Sequence, residues 1–299
     1  MSTRPSSTLH QAGFTLMEMI ISLVVLGLLS AVMLPLLSLP ATAYFDAQRR
    51  VELQSQMALV RAKLTDDLQY AMPGSVRSTC VGTRCYLEYL EVKAVGRYRV
   101  NGGDAAFCPA TPACTVKTGN AMSPACATET CFTTTGQLTP AITPTINSDY
   151  VAVLGDGGPA VNPYLPSPAS AMTRIRARTW LTDHWGLRFD ATRFPTPGTY
   201  AGASNRVYIV SQPVSYECNP ATGRLTRYWG YGVTVAQPTA FGGGVANARL
   251  ADTLNYCRIS VSTVGLRSTV SLRLRLTRTS GGQPSESIEG LIQLSVREP

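Results

Sequence analysis

The chain has 299 residues, of which 15% are charged and 44% hydrophobic, with 26 Lys+Arg against 18 Asp+Glu and a formal net charge of +8. These values exclude a long charged disordered chain and an all-membrane protein, and the length allows one large domain or two small ones. The two histidines are His10 and His184, so a His-rich zinc centre is excluded and a serine- or cysteine-type triad would have to be built on His184 alone.

Residues 1–13 are polar, carry one charge, Arg4, and end in Gly13. Phe14-Thr15-Leu16-Met17-Glu18 follows, and then 27 residues, 19–45, without a charge. About 20 apolar residues rising ~1.5 Å each cross a hydrocarbon core of ~30 Å, so the run is long enough to span. A secretory signal fits poorly, because its apolar run is only about 7–15 residues and its cleavage site follows the run. Here the candidate cut, after Gly13, precedes it. A plain anchor accounts for the length but not for Glu18, a carboxylate one turn into an apolar helix that costs about 2.5–3.5 kcal/mol if left without a partner. Cleavage after Gly13 would create an amino group at Phe14, and that amine could pair with the Glu18 of a neighbouring helix displaced along the same axis.

The run Gly13-Phe14-Thr15-Leu16-Met17-Glu18 resembles the processing site of the type IV prepilins. The resemblance implies that a prepilin peptidase cuts after Gly13 and methylates the new N-terminal Phe14, and that Glu18 serves filament assembly. It also implies a helix kink at Pro35 and Pro40, each of which removes an amide donor and clashes with the preceding turn. Gln11-Ala12 departs from the family, whose leaders usually carry more basic charge before the Gly.

After this hydrophobic transmembrane and assembly helix, 14–45, residues 46–72 read as an amphipathic helix. Leu53, Met57, Val60, Leu64, Leu68 and Ala71 recur at spacings of three and four and form one apolar stripe, expected to contact a head domain. Pro73-Gly74 is the expected stop. Strands are then predicted at 86–100, 149–154, 206–217, 224–235, 258–264, 268–277 and 286–296, with a short helix at 246–255. The clearest strand is Val270-Ser271-Leu272-Arg273-Leu274-Arg275-Leu276, apolar on one face and Arg-bearing on the other. One long N-terminal helix followed by strands and loops predicts an α+β protein with a mainly antiparallel sheet, its β-rich head formed by 73–100 and 149–299.

Residues 101–148 are rich in Thr, Pro, Gly and Ala and hold four of the eight cysteines. They read as an insertion kept compact by small disulfide loops. The even count predicts bridges among Cys80, Cys85, Cys108, Cys114, Cys126, Cys131, Cys218 and Cys257. Pairing neighbours gives 80–85, 108–114 and 126–131 and leaves Cys218 with Cys257, one of many possible pairings. A zinc cluster is the competing reading, opposed by the wide spacing and by an exported, oxidising setting.

Asn205-Arg206-Val207-Tyr208-Ile209-Val210-Ser211, Pro213-Val214-Ser215-Tyr216-Glu217-Cys218 and Gly223-Arg224-Leu225-Thr226-Arg227-Tyr228, with Arg193-Phe194-Pro195 before them and Leu250-Ala251-Asp252 after, are similar to segments of the MshO-type minor pilins of the mannose-sensitive haemagglutinin pilus. J- and W-type minor pilins and pseudopilins, of type II secretion or of twitching and DNA uptake, share the looser pattern. The resemblance implies a type IV pilin-like fold and a subunit present in few copies that primes filament assembly near the tip. Its expected partners are a prepilin peptidase, other major and minor pilins and an inner-membrane assembly platform. Its expected location is the inner membrane in a single pass with a periplasmic head, then the extracellular pilus. In the family the outermost subunit of a tip complex often lacks this Glu, having nothing above it, so the retained Glu18 leads to the expectation that this subunit packs beneath another.

Rival functions are weaker. Arg267, Arg273, Arg275 and Arg278 suggest a phosphate-binding stripe, but single-strand binding also needs interleaved aromatics, and these arginines alternate with leucines as on a solvated sheet face. Nucleic acid is therefore not expected as a partner. Asp183-His184 is the only triad fragment, and it reads more simply as one hydrogen-bonded histidine between Trp180 and Trp185. Asp156-Gly157-Gly158 with Asp252 lacks a calcium ligand series. No enzyme activity, cofactor or metal is expected.

Overall fold

The computed structural model describes residues 15–99, 107–108, 129–153, 162–165, 172–192, 205–264, 267–278 and 285–296, the side chains at 34–43, 45, 129 and 191–192 excepted. Gly13, Phe14, Cys114, Cys126, Asp156 and residues 193–197 lie outside the described residues. The chain divides into two compact units, Met1–Glu52 and Leu53–Pro299.

Helix α1 (Leu16–Gln69) runs for 54 residues. Thr15 caps it: its Oγ1 accepts the Glu18 amide at 3.3 Å and its carbonyl accepts the Met19 amide at 3.2 Å. Helix α1 continues as one element through positions 35 and 40, although each proline there forfeits a backbone hydrogen bond. It ends three residues before the expected Met72. The reason is competition from the sheet: Met72 donates to the Leu90 carbonyl and Val92 to the Tyr70 carbonyl, both at 2.7 Å, so 70–72 leave the helix to pair with a strand. Gly74, at φ +74°, then turns the chain.

In the second unit a nine-stranded sheet is built from β1 (Arg77–Val81), β2 (Arg84–Arg97), β3 (Glu129–Thr133), β4 (Tyr150–Ala152), β5 (Met172–Trp180), β6 (Trp185–Thr192), β7 (Arg206–Asn219), β8 (Arg224–Trp229) and β9 (Ala246–Ala251). A separate sheet holds β10 (Leu254–Val264), β11 (Arg267–Arg278) and β12 (Glu286–Val296) in that order. Every pairing among the described strands is antiparallel. The long strand β7 takes β2 along one edge and shares the other, β4 at 208–210 and β8 at 214–219. Pro213, with no amide to donate, sits at the hand-over.

The apolar stripe is buried as its spacing predicts: Leu53, Val60, Leu64 and Leu68 of α1, with Ala71 just beyond its end, are at most 2% exposed. They pack with Leu87 and Tyr89 of β2, Val214 and Tyr216 of β7, and the inner face of the three-stranded sheet, where Val270, Leu272, Leu274 and Leu276 alternate with outward arginines. Each such aliphatic side chain contributes about 1.5–3 kcal/mol. A second core lies among β3 to β7, around Phe132, Leu138, Ile175, Leu187 and Ile209.

Three expectations are corrected here. Residues 246–255 are not a helix: 246–251 form β9, because β8 offers an open edge that Ala246 to Ala251 can pair with, and tertiary pairing overrides a weak local preference. Residues 101–148 are not wholly an insertion. Glu129–Thr133 is the edge strand against β6, and Phe132 and Leu138 are core. The strand expected at 224–235 stops at Trp229, before Gly230 at φ +81°.

One buried carboxylate ties the helix to the sheet. Asp67, 6% exposed, receives Lys63 Nζ at 2.6 Å, Arg227 Nε of β8 at 2.6 Å and the Tyr216 hydroxyl of β7 at 2.5 Å. Burial alone would raise its pKa, but the hydrogen bonds from Lys63, Tyr216 and Arg227 outweigh burial and hold the carboxyl below its ordinary range. A depressed folded-state value means that the stabilisation is complete above about pH 4 and vanishes as pH falls through the folded value. Asp67→Asn is expected to cost about 3–5 kcal/mol at neutral pH, since it strands Arg227, with the gap from wild type closing as pH falls below the ordinary carboxylate range in urea titrations run across pH.

Gly290 of β12 lies against the Met57 side chain of α1. A Cβ there would lie 2.8 Å from Met57 Sδ and 3.0 Å from its Cε. Gly290→Val is expected to destabilise by about 1–3 kcal/mol, and Met57→Ala in the same chain to recover part of that loss, a non-additivity that denaturation of the two singles and the double reads directly.

Candidate functional site

The N-terminal motif begins where α1 begins. Thr15 and Glu18 are related as the two ends of a capping box, and the observed half of it is the Glu18 amide on Thr15 Oγ1. The Glu18 carbonyl accepts the Ser22 hydroxyl at 2.8 Å. The Glu18 carboxylate forms no ion pair among the described residues. Around it, Leu16–Met33 is long and apolar enough to cross a membrane, and none of those residues is buried. An exposed apolar helix of this kind is stable only in lipid or against other helices.

The head contains ionisable groups that the sequence reading passed over. Glu88 of β2 is fully buried. Its carboxylate takes Arg77 Nε at 2.7 Å and the Tyr231 hydroxyl at 3.4 Å. Burial raises its pKa, against the pull of Arg77 and Tyr231. Arg77 also lies 3.5 Å above the ring centre of Tyr164 and donates to the carbonyls of Thr234 and Val235. A perturbed carboxylate can mark a catalytic site, but both oxygens here are occupied and the cluster pins the loop after β8. Asp149 is likewise paired, to Lys93 Nζ at 2.6 Å and to the Thr145 amide at 2.7 Å. No local pattern marks these groups; each is recognised by the cation that the fold brings to it.

Asp183 and His184 form the tip of the β5–β6 hairpin, with Nδ1 to Oδ1 at 2.5 Å and the rings of Trp180 and Trp185 edge to face at 5.0 Å. The histidine is hydrogen-bonded as the sequence suggested. A cleft of about 380 Å³ is bordered by Tyr150, Tyr164, Arg174, Arg176 and Asp190. Arg176 is held by both oxygens of Asp190, and Arg174 by the Tyr150 hydroxyl. Among the described residues no group of three or more His, Cys, Asp or Glu is placed to hold a metal ion.

The cysteines need one correction. Cys80–Cys85 closes the β1–β2 hairpin and Cys218–Cys257 joins β7 to β10, as neighbour pairing anticipated. Cys108, however, is bonded to Cys131, so neither the expected 108–114 bridge nor the expected 126–131 bridge forms. Tertiary packing selects the partner: Cys131 lies opposite Arg188 in the β3–β6 ladder, and the same Arg188 donates to the Phe107 carbonyl and sits over the Phe107 ring.

Comparison with known proteins gives one match. A family model described as the prokaryotic N-terminal methylation motif matches residues 8–34. No curated protein and no solved structure matches the chain. The motif implies processing by a prepilin peptidase and assembly with other pilins, and with the apolar helix it fits a single membrane anchor bearing a periplasmic head. The methylation motif, at the start of an apolar helix followed by a mostly antiparallel β head with disulfides, indicates a type IV pilin-like prepilin, a pilin or pseudopilin of the prokaryotic superfamily.

Proposed function

We propose that this chain is a minor pilin of an MSHA-like type IV pilus, cleaved after Gly13, methylated at Phe14, and used to prime filament assembly near the tip. The observation that carries this reading is Glu18, whose carboxylate sits in an exposed apolar stretch with no ion-pair partner among the described residues. At about 2.5–3.5 kcal/mol, an unpartnered carboxylate in lipid calls for a cation from outside the chain. The Phe14 amine of an adjacent subunit supplies one. The head then stays in the periplasm, an oxidising compartment suited to its disulfides, until the subunit is extracted into the filament beneath another. Pro35 and Pro40 are proposed to let α1 bend in the packed filament.

Glu18 also stands at the third position of a capped helix, so assembly must be separated from helix stability. In a piliated host carrying the peptidase, Glu18→Ala is expected to be cleaved and methylated normally by mass spectrometry. It is expected to fall at least roughly tenfold in sheared filaments and in co-purification with other pilins, while Glu18→Gln keeps the cap and loses assembly alike. Gly13→Asp is expected to leave the precursor uncut. Undiminished incorporation of Glu18→Ala would refute the pairing. Co-purification with secretion pseudopilins in place of pilus subunits would favour the J- or W-type reading.

A further inference from the structure

The three-stranded sheet turns its leucine face to α1 and leaves the other face in solvent. Its register lines up Tyr256, Arg275 and Glu289 in one row across β10, β11 and β12. The next row is Arg258, Arg273 and Leu291, followed by Ser260, Ser271 and Gln293 and then Ser262, Thr269 and Ser295. Arg258 thus stands directly opposite Arg273, and like charges opposed across strands are destabilising unless something compensates them. Glu289 is the only carboxylate in these rows. It takes Arg273 Nε at 2.5 Å and Arg275 Nη2 at 3.0 Å. Arg258 and Arg267 make no ion pair among the described residues. Tyr256 is 39% exposed, with the Arg275 guanidinium 6.0 Å from its ring centre.

We propose that this face binds a single-stranded nucleic acid, with Arg258 and Arg273 on the phosphodiester backbone and Tyr256 as a stacking platform for a base. Opposed guanidiniums suit a bridging phosphate, which each can grip through two N–H groups. Successive outward positions on β11 are about 7 Å apart, comparable to the step between neighbouring phosphates on an extended strand. The flat rows of Ser, Thr and Gln beyond them offer the neutral donors that commonly supplement arginine on phosphate oxygens. An acidic protein segment would satisfy the arginines but leave the exposed ring without a use. Sequence reading set this partner aside because the β11 arginines lacked interleaved aromatics. The missing arginine and ring come from β10, and only the register brings them alongside. The inference stands independently of the pilin reading.

The test is fluorescence anisotropy of a labelled oligothymidylate with the full chain in nonionic detergent, over salt from about 50 to 200 mM. Binding is expected to weaken steeply with salt, and Arg258→Ser with Arg273→Ser to weaken it at least roughly tenfold and flatten the salt slope by about two. Tyr256→Ala is expected to cost roughly 5- to 100-fold with the slope unchanged. Glu289→Gln is expected to tighten binding, a gain that misfolding cannot imitate. Absence of binding at low salt, or binding indifferent to all these changes, overturns the proposal. So does retention of polyglutamate but not oligothymidylate through Arg258, which would make the face a dock for acidic protein.

Discussion

A helix that is apolar all round in its first half and apolar on one stripe in its second imposes the rest of the structure. The stripe from Leu53 to Ala71 exposes aliphatic surface that water opposes, and a single helix cannot cover it. Both sheets of the head contribute to that cover, β2 and β7 from one and β10 to β12 from the other. The first half has no such cover within its own unit: Leu16–Met33 is exposed throughout. Its burial has to come from lipid or from other subunits, and that requirement links the fold to assembly.

The parts of the fold that could be read from the sequence were those with a long, regular period. The alternation in 270–276 and the three-and-four spacing of 53–71 each specify a face over many residues, and β11 and the stripe follow them. Short elements were harder. β5 and β6 interleave arginine and aromatics with small residues, and β9 buries only Ala251, so neither pattern stands out before its partner strand is known. The 246–255 segment has the composition of a short helix and becomes a strand only because β8 has an edge to offer. Disulfide pairing failed for a similar reason. Cys108 and Cys131 are separated by 23 residues, and nothing local reveals that Phe107 lies against β6.

The candidate site divided in the same way. Gly13, Phe14 and Glu18 form a contiguous motif, so their signal is complete without a fold. Asp67, Glu88 and Asp149 carry no motif, and each becomes conspicuous only when its cation arrives from elsewhere in the chain. Their chemistry is positional. A buried carboxylate with its cation and hydroxyl donors in place tolerates little displacement, which fixes the angle of the helix to β7 and β8 and the path of the loop after β8.

The division of the second edge of β7 between β4 and β8 has a mechanical consequence. Strand β7 is hydrogen-bonded both to the part of the head built on Phe132 and Leu187 and to the part built against α1 from Leu53 on, and β2 runs beside it through both, meeting Thr139 at Val95. Cys218 then fastens β7 covalently to β10. A load applied to the distal strands reaches the helix through β7 and β2 together, in shear along their length, with a covalent stop before the two sheets can part. For a subunit drawn into a filament that is pulled, β7 with β2 would act as the tendon of the head.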